Sequence, residues 1–178
     1  MVSPIHDAFN RIIQEIYWIE DLDEAEDTLA KYLEQIDPDL RAVLLDERKK
    51  ICNNPEIVLE LIRIDALADS VGEKSIRELL LLQSLVDMLF LVQCSPKWAR
   101  LGPREKARIL APLYKAFYGM RLAAKRYPNI DEIHLSVAFT MAEEAYERAD
   151  RMGLVDDVYG LINRFSEELL EEFRGEAE

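Results

Sequence analysis

A chain of 178 residues with net charge −13, 49% hydrophobic residues, two cysteines and two histidines is long enough for one domain with a sizeable core. Such a chain buries roughly two-thirds of its unfolded surface, so no disulfide or metal is needed to hold it together. The apolar content excludes disorder, the apolar runs are too short for a bilayer, and six scattered glycines exclude a glycine-rich phosphate loop.

The N-terminus, MVSPIHDAFNRII, has an acidic residue and broken apolar runs where a signal peptide needs a basic start and a continuous apolar block. Cys52 and Cys94 form no metal-ligand spacing and suggest no disulfide framework, which makes a reducing cytoplasm the expected compartment. Charge is unevenly placed. Residues 1–95 hold 9 basic and 20 acidic residues, residues 96–127 hold 9 and 1, and residues 128–178 hold 4 and 14. An acidic chain with one basic segment is its clearest asymmetry.

Proline punctuates the sequence. Ser3-Pro4, Asp37-Pro38, Asn54-Pro55 and Ser95-Pro96 each pair a capping side chain with proline at a first helical position, and Gly102-Pro103 does so with a weaker cap. No period-2 run or hairpin dipeptide competes with helix. The first helix is expected from about Pro4 to Ile19, with Ile5, Phe9, Ile12, Ile16 and Ile19 on one stripe. Asp21 and Glu24 cap the second, whose stripe is Leu22, Ala25, Leu29, Tyr32 and Ile36, and the short break makes the two a hairpin. This hairpin, followed by Pro38, resembles one tetratricopeptide unit. No second copy follows at that period, so it is not a repeat and no family is assigned.

Pro38 starts a third helix carrying Leu40, Val43, Leu44 and Ile51, which ends at Asn53-Asn54. Pro55 starts a fourth, carrying Ile57, Val58, Leu61, Ile62 and Leu67, which ends near Gly72. Ser75–Cys94 follows, a helix with apolar residues on every side and a Ser75-x-x-Glu78 capping box. A helix apolar all round is expected at the centre of the fold. After an irregular piece at Trp98, a long helix spans Pro103 to about Arg126, with a kink or break expected at Pro112. Asn129 and Glu132 cap the next helix, Gly153 ends it, and the last runs from about Val155 to Phe173. The fold class is therefore all-α, a compact bundle of about seven or eight helices around a buried helix near 75–94. One domain is expected over residues 1–174, with a frayed tail at 175–178.

Candidate chemistry is sparse. His6-Asp7 is the doublet that metal phosphohydrolases use, but His134 is the only other histidine, and a structural reading is preferred. Glu143, Glu144, Glu147 and Asp150, with Glu168 and Glu171 further on, resemble the all-helical nucleotide pyrophosphohydrolases, whose pattern is Glu-Glu-x-x-Glu then a distant Glu-x-x-Asp. The second half here reads Glu-x-x-Glu, and the resemblance covers only this segment. It implies magnesium held by paired carboxylates. Helical phasing sets Glu143, Glu147 and Asp150 opposite the apolar stripe of Ala138, Met141, Ala145 and Ala149, where solvated charges belong. Asp87 shares a polar strip with Gln83, Ser84 and Cys94 on the central helix. It is read as paired with an Arg or Lys of a neighbouring helix or as part of a strip that reaches the surface, with a ligand or switch site as the alternative.

The basic segment competes best for a function. At ~100° per residue, Arg104, Arg108, Lys115, Tyr118, Lys125 and Arg126 fall in a sector of about 100°, with Ile109, Leu113, Phe117 and Met120 on the other side. Such a face could bind an acidic partner or phosphates, or pair with the acidic flanks such as residues 167–172. The expected function is a non-catalytic cytoplasmic interaction or regulatory module acting through this face. Its expected partner is a protein or a second copy, with no membrane, cofactor or metal. A nucleic-acid- or nucleotide-binding protein and a magnesium-dependent pyrophosphohydrolase-like enzyme are the alternatives.

Overall fold

The computed structural model describes residues 4–34, 38–53, 56–125 and 129–177. Among them run eight α-helices and no strand: α1 Pro4–Trp18, α2 Leu22–Glu34, α3 Pro38–Cys52, α4 Glu56–Ser70, α5 Lys74–Phe90, α6 Pro103–Ala124, α7 Glu132–Arg151 and α8 Leu154–Ala177. Two 3₁₀ turns, Leu91–Cys94 and Trp98–Arg100, join α5 to α6. The all-α bundle expected from proline punctuation and helical periodicity is what the chain forms. Ile36 and Arg126, and the side chains of His6, Leu40, Val43 and Ile57, lie outside what is described.

Apolar phasing decides which face of each helix turns inward. In α1 it buries Ile13, Ile16 and Tyr17, and in α2 Ala25, Leu29, Ala30 and Leu33. Tyr32 stays at the surface and gives its hydroxyl to Glu15 at 2.7 Å. In α4 the inner face is Val58, Leu61, Ile64 and Ala68, which leaves Ile62 and Leu67 exposed. α5 buries Leu82, Ser84, Val86, Met88 and Leu89, and the turn after it buries Leu91, Val92 and Gln93. Beside it α6 carries the longest unbroken buried run, Ile109 to Ala116.

α7 joins α6 through small side chains. Ala138, Ala142, Ala145 and Ala149 form one fully buried stripe, and Gly119 of α6 faces it. A Cβ at 119 would stand 3.2 Å from the Ala138 Cβ and 3.3 Å from the His134 carbonyl oxygen. The two backbones are therefore as close as glycine permits.

Helix starts depart from the expected caps. Glu73, without a side-chain cap bond, precedes α5, and Glu78 pairs with Lys74 at 3.8 Å, so Ser75 and Glu78 form no capping box. Asp131 rather than Asn129 caps α7, accepting from the backbone N–H groups of Ile133 and His134 at 3.0 and 3.2 Å. Asp21 caps α2 as expected, accepting from the Asp23 N–H at 2.9 Å. α8 continues to Ala177, past the expected end at Phe173.

Pro112 does not break α6. Its missing N–H leaves the Arg108 carbonyl, four residues earlier, without a helical donor, and the Arg148 Nη1 of α7 donates to that oxygen at 2.9 Å. A side chain from the next helix completes the ladder. The two cysteines also differ from expectation: Cys52, at the end of α3, is disulfide-bonded to Cys94, at the end of the first 3₁₀ turn. Neither lies in a motif that announces the bond; the fold of α3 against that turn brings them together.

Candidate functional site

The basic residues of α6 split into three groups. Arg104 and Arg108 lie at its N-terminal end and meet the acidic edge of α2. Arg104 pairs with Asp27 at 3.4 Å and Glu34 at 3.2 Å, and Arg108 with Glu26 at 3.7 Å. Their side chains nonetheless stay 64% and 55% exposed, so these pairs stabilise little. Their partners belong to α2, not to residues 167–172.

Lys115 is not on an outer stripe at all. Its side chain is buried, and its Nζ donates to the Tyr17 carbonyl at 3.0 Å and also to the Ile19 carbonyl. Those oxygens lie at the C-terminal end of α1, where helical carbonyls have no internal donor and a cation is favourable. Burial lowers the pKa of this amine, and Glu20 opposes that shift. Lys115 is a helix cap supplied from another helix.

The third group is the C-terminal half of α6. Tyr118 packs against Tyr17 with ring centroids 5.1 Å apart, and the Tyr17 hydroxyl is hydrogen-bonded to His134 Nδ1. Trp18 lies edge-on to both Tyr17 and His134. Arg121 sits over the Phe117 ring, and Lys125 ends the helix in solvent. The Asp131 N–H donates to the Ala123 carbonyl at 3.1 Å, which sets the start of α7 beside this end of α6. Ile133 is 76% exposed there and Trp18 62%. Arg126 lies outside the described residues.

The carboxylates of α7 and α8 do not assemble a metal centre. Glu144 accepts from Arg148 at 3.0 Å and Glu147 pairs with Arg151 at 3.5 Å, both along α7 itself. Among the described residues no group of three His, Cys, Asp or Glu side chains could hold a metal ion. Asp7 is exposed on α1. Arg148, only 14% exposed, is committed to the fold, since it also pairs with Glu26 at 2.9 Å and so ties α2, α6 and α7 together.

Two cavities flank α3. One, of about 320 Å³, is lined by Leu33, Leu44, Leu45 and Leu110 together with Arg48, Trp98 and Lys106. Arg48 Nε donates to the Gln93 carbonyl at 2.9 Å, and the Lys106 ammonium lies 5.9 Å from the centre of the Trp98 ring. Burial and the Arg48 charge lower the Lys106 pKa. The other, of about 240 Å³, contains Asp87, Glu47 and Glu60 among Phe9, Phe90, Tyr114 and Phe117. No cation among the described residues pairs with Asp87, and burial, with a smaller push from Glu60, raises its pKa to about 6.

Sequence phasing flagged Asp87 and the α6 cations but missed Arg48, Lys106 and Trp98. Arg48 is one of three consecutive cations on α3, and nothing local distinguishes it from Lys49 and Lys50. Lys106 and Arg48 line one cavity from two elements far apart in the chain. Comparison of the chain with family models, with curated proteins and with solved structures finds no match in any of the three.

Proposed function

We propose that this chain is a non-catalytic interaction module and that α6 carries its recognition surface. The observation that supports the reading is the cluster of Tyr17, Tyr118 and His134 with exposed Trp18 and Ile133 beside it, on the half of α6 that ends at exposed Lys125. Tryptophan, tyrosine and cations beside exposed apolar surface are the composition of binding hot spots. The exposed pairs at Arg104 and Arg108 extend a cationic edge from the other end of the same helix. Their weak α2 contacts can be exchanged for an acidic partner at little expense in stability. Lys115 belongs to the fold rather than to the surface. The partner is an acidic protein surface or the acidic face of a second copy.

Immobilised protein in extract of the native cell tests this. Trp18→Ala with Lys125→Glu should keep the fold and lose the partner, and wild-type capture should weaken as salt rises. Sedimentation velocity separates self-association from a second protein. A doubly substituted chain that captures the same partner at equal yield would end the reading. A cytoplasmic location is kept as part of the proposal with a redox condition: in a reducing compartment Cys52 and Cys94 would stand as thiols. Thiol labelling at the moment of lysis reads that state.

A nucleotide- or anion-binding reading draws on Arg48 and Lys106, two neighbouring cations in an apolar cavity with no ion pair to either among the described residues. Thermal stabilisation by a nucleoside triphosphate that Arg48→Met with Lys106→Met abolishes would favour it over the surface reading.

A further inference from the structure

We propose that the cavity of about 240 Å³ between α1, α3, α4, α5 and α6 is a binding site for a small organic cation, an alkylated ammonium group. The argument begins with the Asp87 carboxylate. It stands partly buried on α5, between the core residues Val86 and Met88 in sequence. It takes part in no hydrogen bond or ion pair among the described residues, yet none of their buried side-chain polar atoms lacks a partner. Its oxygens therefore reach open space, and the space they reach is this cavity. A charge in that position is unfavourable for folding alone, and an apolar side chain would serve the core better.

What surrounds Asp87 says which complement it would accept. Glu60 of α4 reaches the same cavity and its charge acts on Asp87 in the same sense. Glu47 of α3 also lines it and has a partner of its own, so the charge on the cavity comes from Asp87 and Glu60, and among the described residues no Arg or Lys lines it. The rest of the wall is four aromatic rings, Phe9, Phe90, Tyr114 and Phe117, beside Leu44, Ile51 and Gln93. Phe9 and Tyr114 meet edge to face at 5.6 Å, and Phe90 and Phe117 at 5.5 Å. Aromatic faces attract cations through their quadrupole and do so best when water is excluded.

A hard metal ion is disfavoured by the same wall. Calcium and magnesium need about six or more oxygen ligands, and rings cannot supply them. An ammonium whose charge is spread over carbon substituents needs no such shell; it gains from ring faces on its apolar side and one carboxylate for its charge. The volume lies below the range of about 300–1,000 Å³ usual for drug-sized ligands, which suits a small headgroup. Outside the cavity lining, the Arg121 guanidinium lies 5.5 Å from the centre of the Phe117 ring.

Calorimetric titration with choline and with its uncharged isostere 3,3-dimethylbutan-1-ol tests the proposal at pH 7.5 on the full chain. Choline should bind saturably, and the alcohol at least about tenfold more weakly, because it has the same shape without the charge. Asp87→Asn should lose choline binding by a similar factor while melting higher than wild type, so loss of fold cannot imitate loss of site. Phe90→Leu, which keeps an apolar filler but removes a ring, should weaken choline and leave the alcohol unchanged. Equal affinity for choline and the alcohol would overturn the proposal. So would unaltered choline binding by Asp87→Asn, or no saturable heat from choline up to millimolar concentration.

Discussion

α6 and α7 meet through alanine and glycine, where a methyl group on Gly119 would be tightly crowded; α3 lies between two cavities and, among the described residues, is fastened by a disulfide and one arginine. Both regions are helix packed on helix, but they are held by different physics. The α6–α7 seam gains from many short contacts between fully buried small groups, so any added volume meets backbone. α3 contacts its neighbours less completely and is kept in place by a covalent link and by the Arg48–Gln93 bond. Tight packing gives rigidity without a site. Loose packing with point attachments leaves space in which charged groups can remain unneutralised.

The largest effect that would sharpen this contrast is removal of the bridge. Cys52→Ser with Cys94→Ser frees a loop of 42-residue separation, and chain entropy sets the loss at about 3–4 kcal/mol. Hydrogen exchange should show faster opening concentrated in α3, with α6 and α7 lowered only by the global change. Selective loosening of the α6–α7 seam instead would break the comparison.

Volume is the next lever. Ala142→Leu, inserted into the seam, should destabilise by about 1–3 kcal/mol through overpacking. Leu44→Phe adds volume beside both α3 cavities and should change stability by less than about 1 kcal/mol. Chemical denaturation of the pair gives both numbers, and equal losses would show that the space beside α3 is not available.

The remaining effect is electrostatic. Burial, with a smaller push from Glu60, raises the Asp87 carboxyl from 3.8 to about 6, so between those pH values the native state retains a proton that the unfolded chain releases. Stability therefore falls as pH rises through that window, by on the order of 3 kcal/mol when complete. Asp87→Asn should recover that amount at pH 7 and nothing at pH 3. A variant no more stable than wild type at pH 7 would mean that this carboxylate is solvated like those on α7.

How far the sequence reached is clearest from three side chains of one helix. Arg104, Arg108 and Lys115 share a sector because helical periodicity is local, and the sequence alone determines it. Whether each is free, paired or buried depends on what lies opposite. For Arg104 and Arg108 that is the acidic edge of α2, and for Lys115 it is the carbonyl end of α1. Helix number and type were legible for the same reason: proline, capping residues and apolar spacing act within a few residues of themselves. The partner of Cys52, the contacts of Arg148 with Glu26 and the Arg108 carbonyl, and the Glu60 charge that acts on Asp87 lie tens of residues away in the chain. Only the packing of α3 against the 3₁₀ turn, of α7 against Pro112 and of α5 against α4 decides them, because no short-range pattern encodes which distant surfaces will meet.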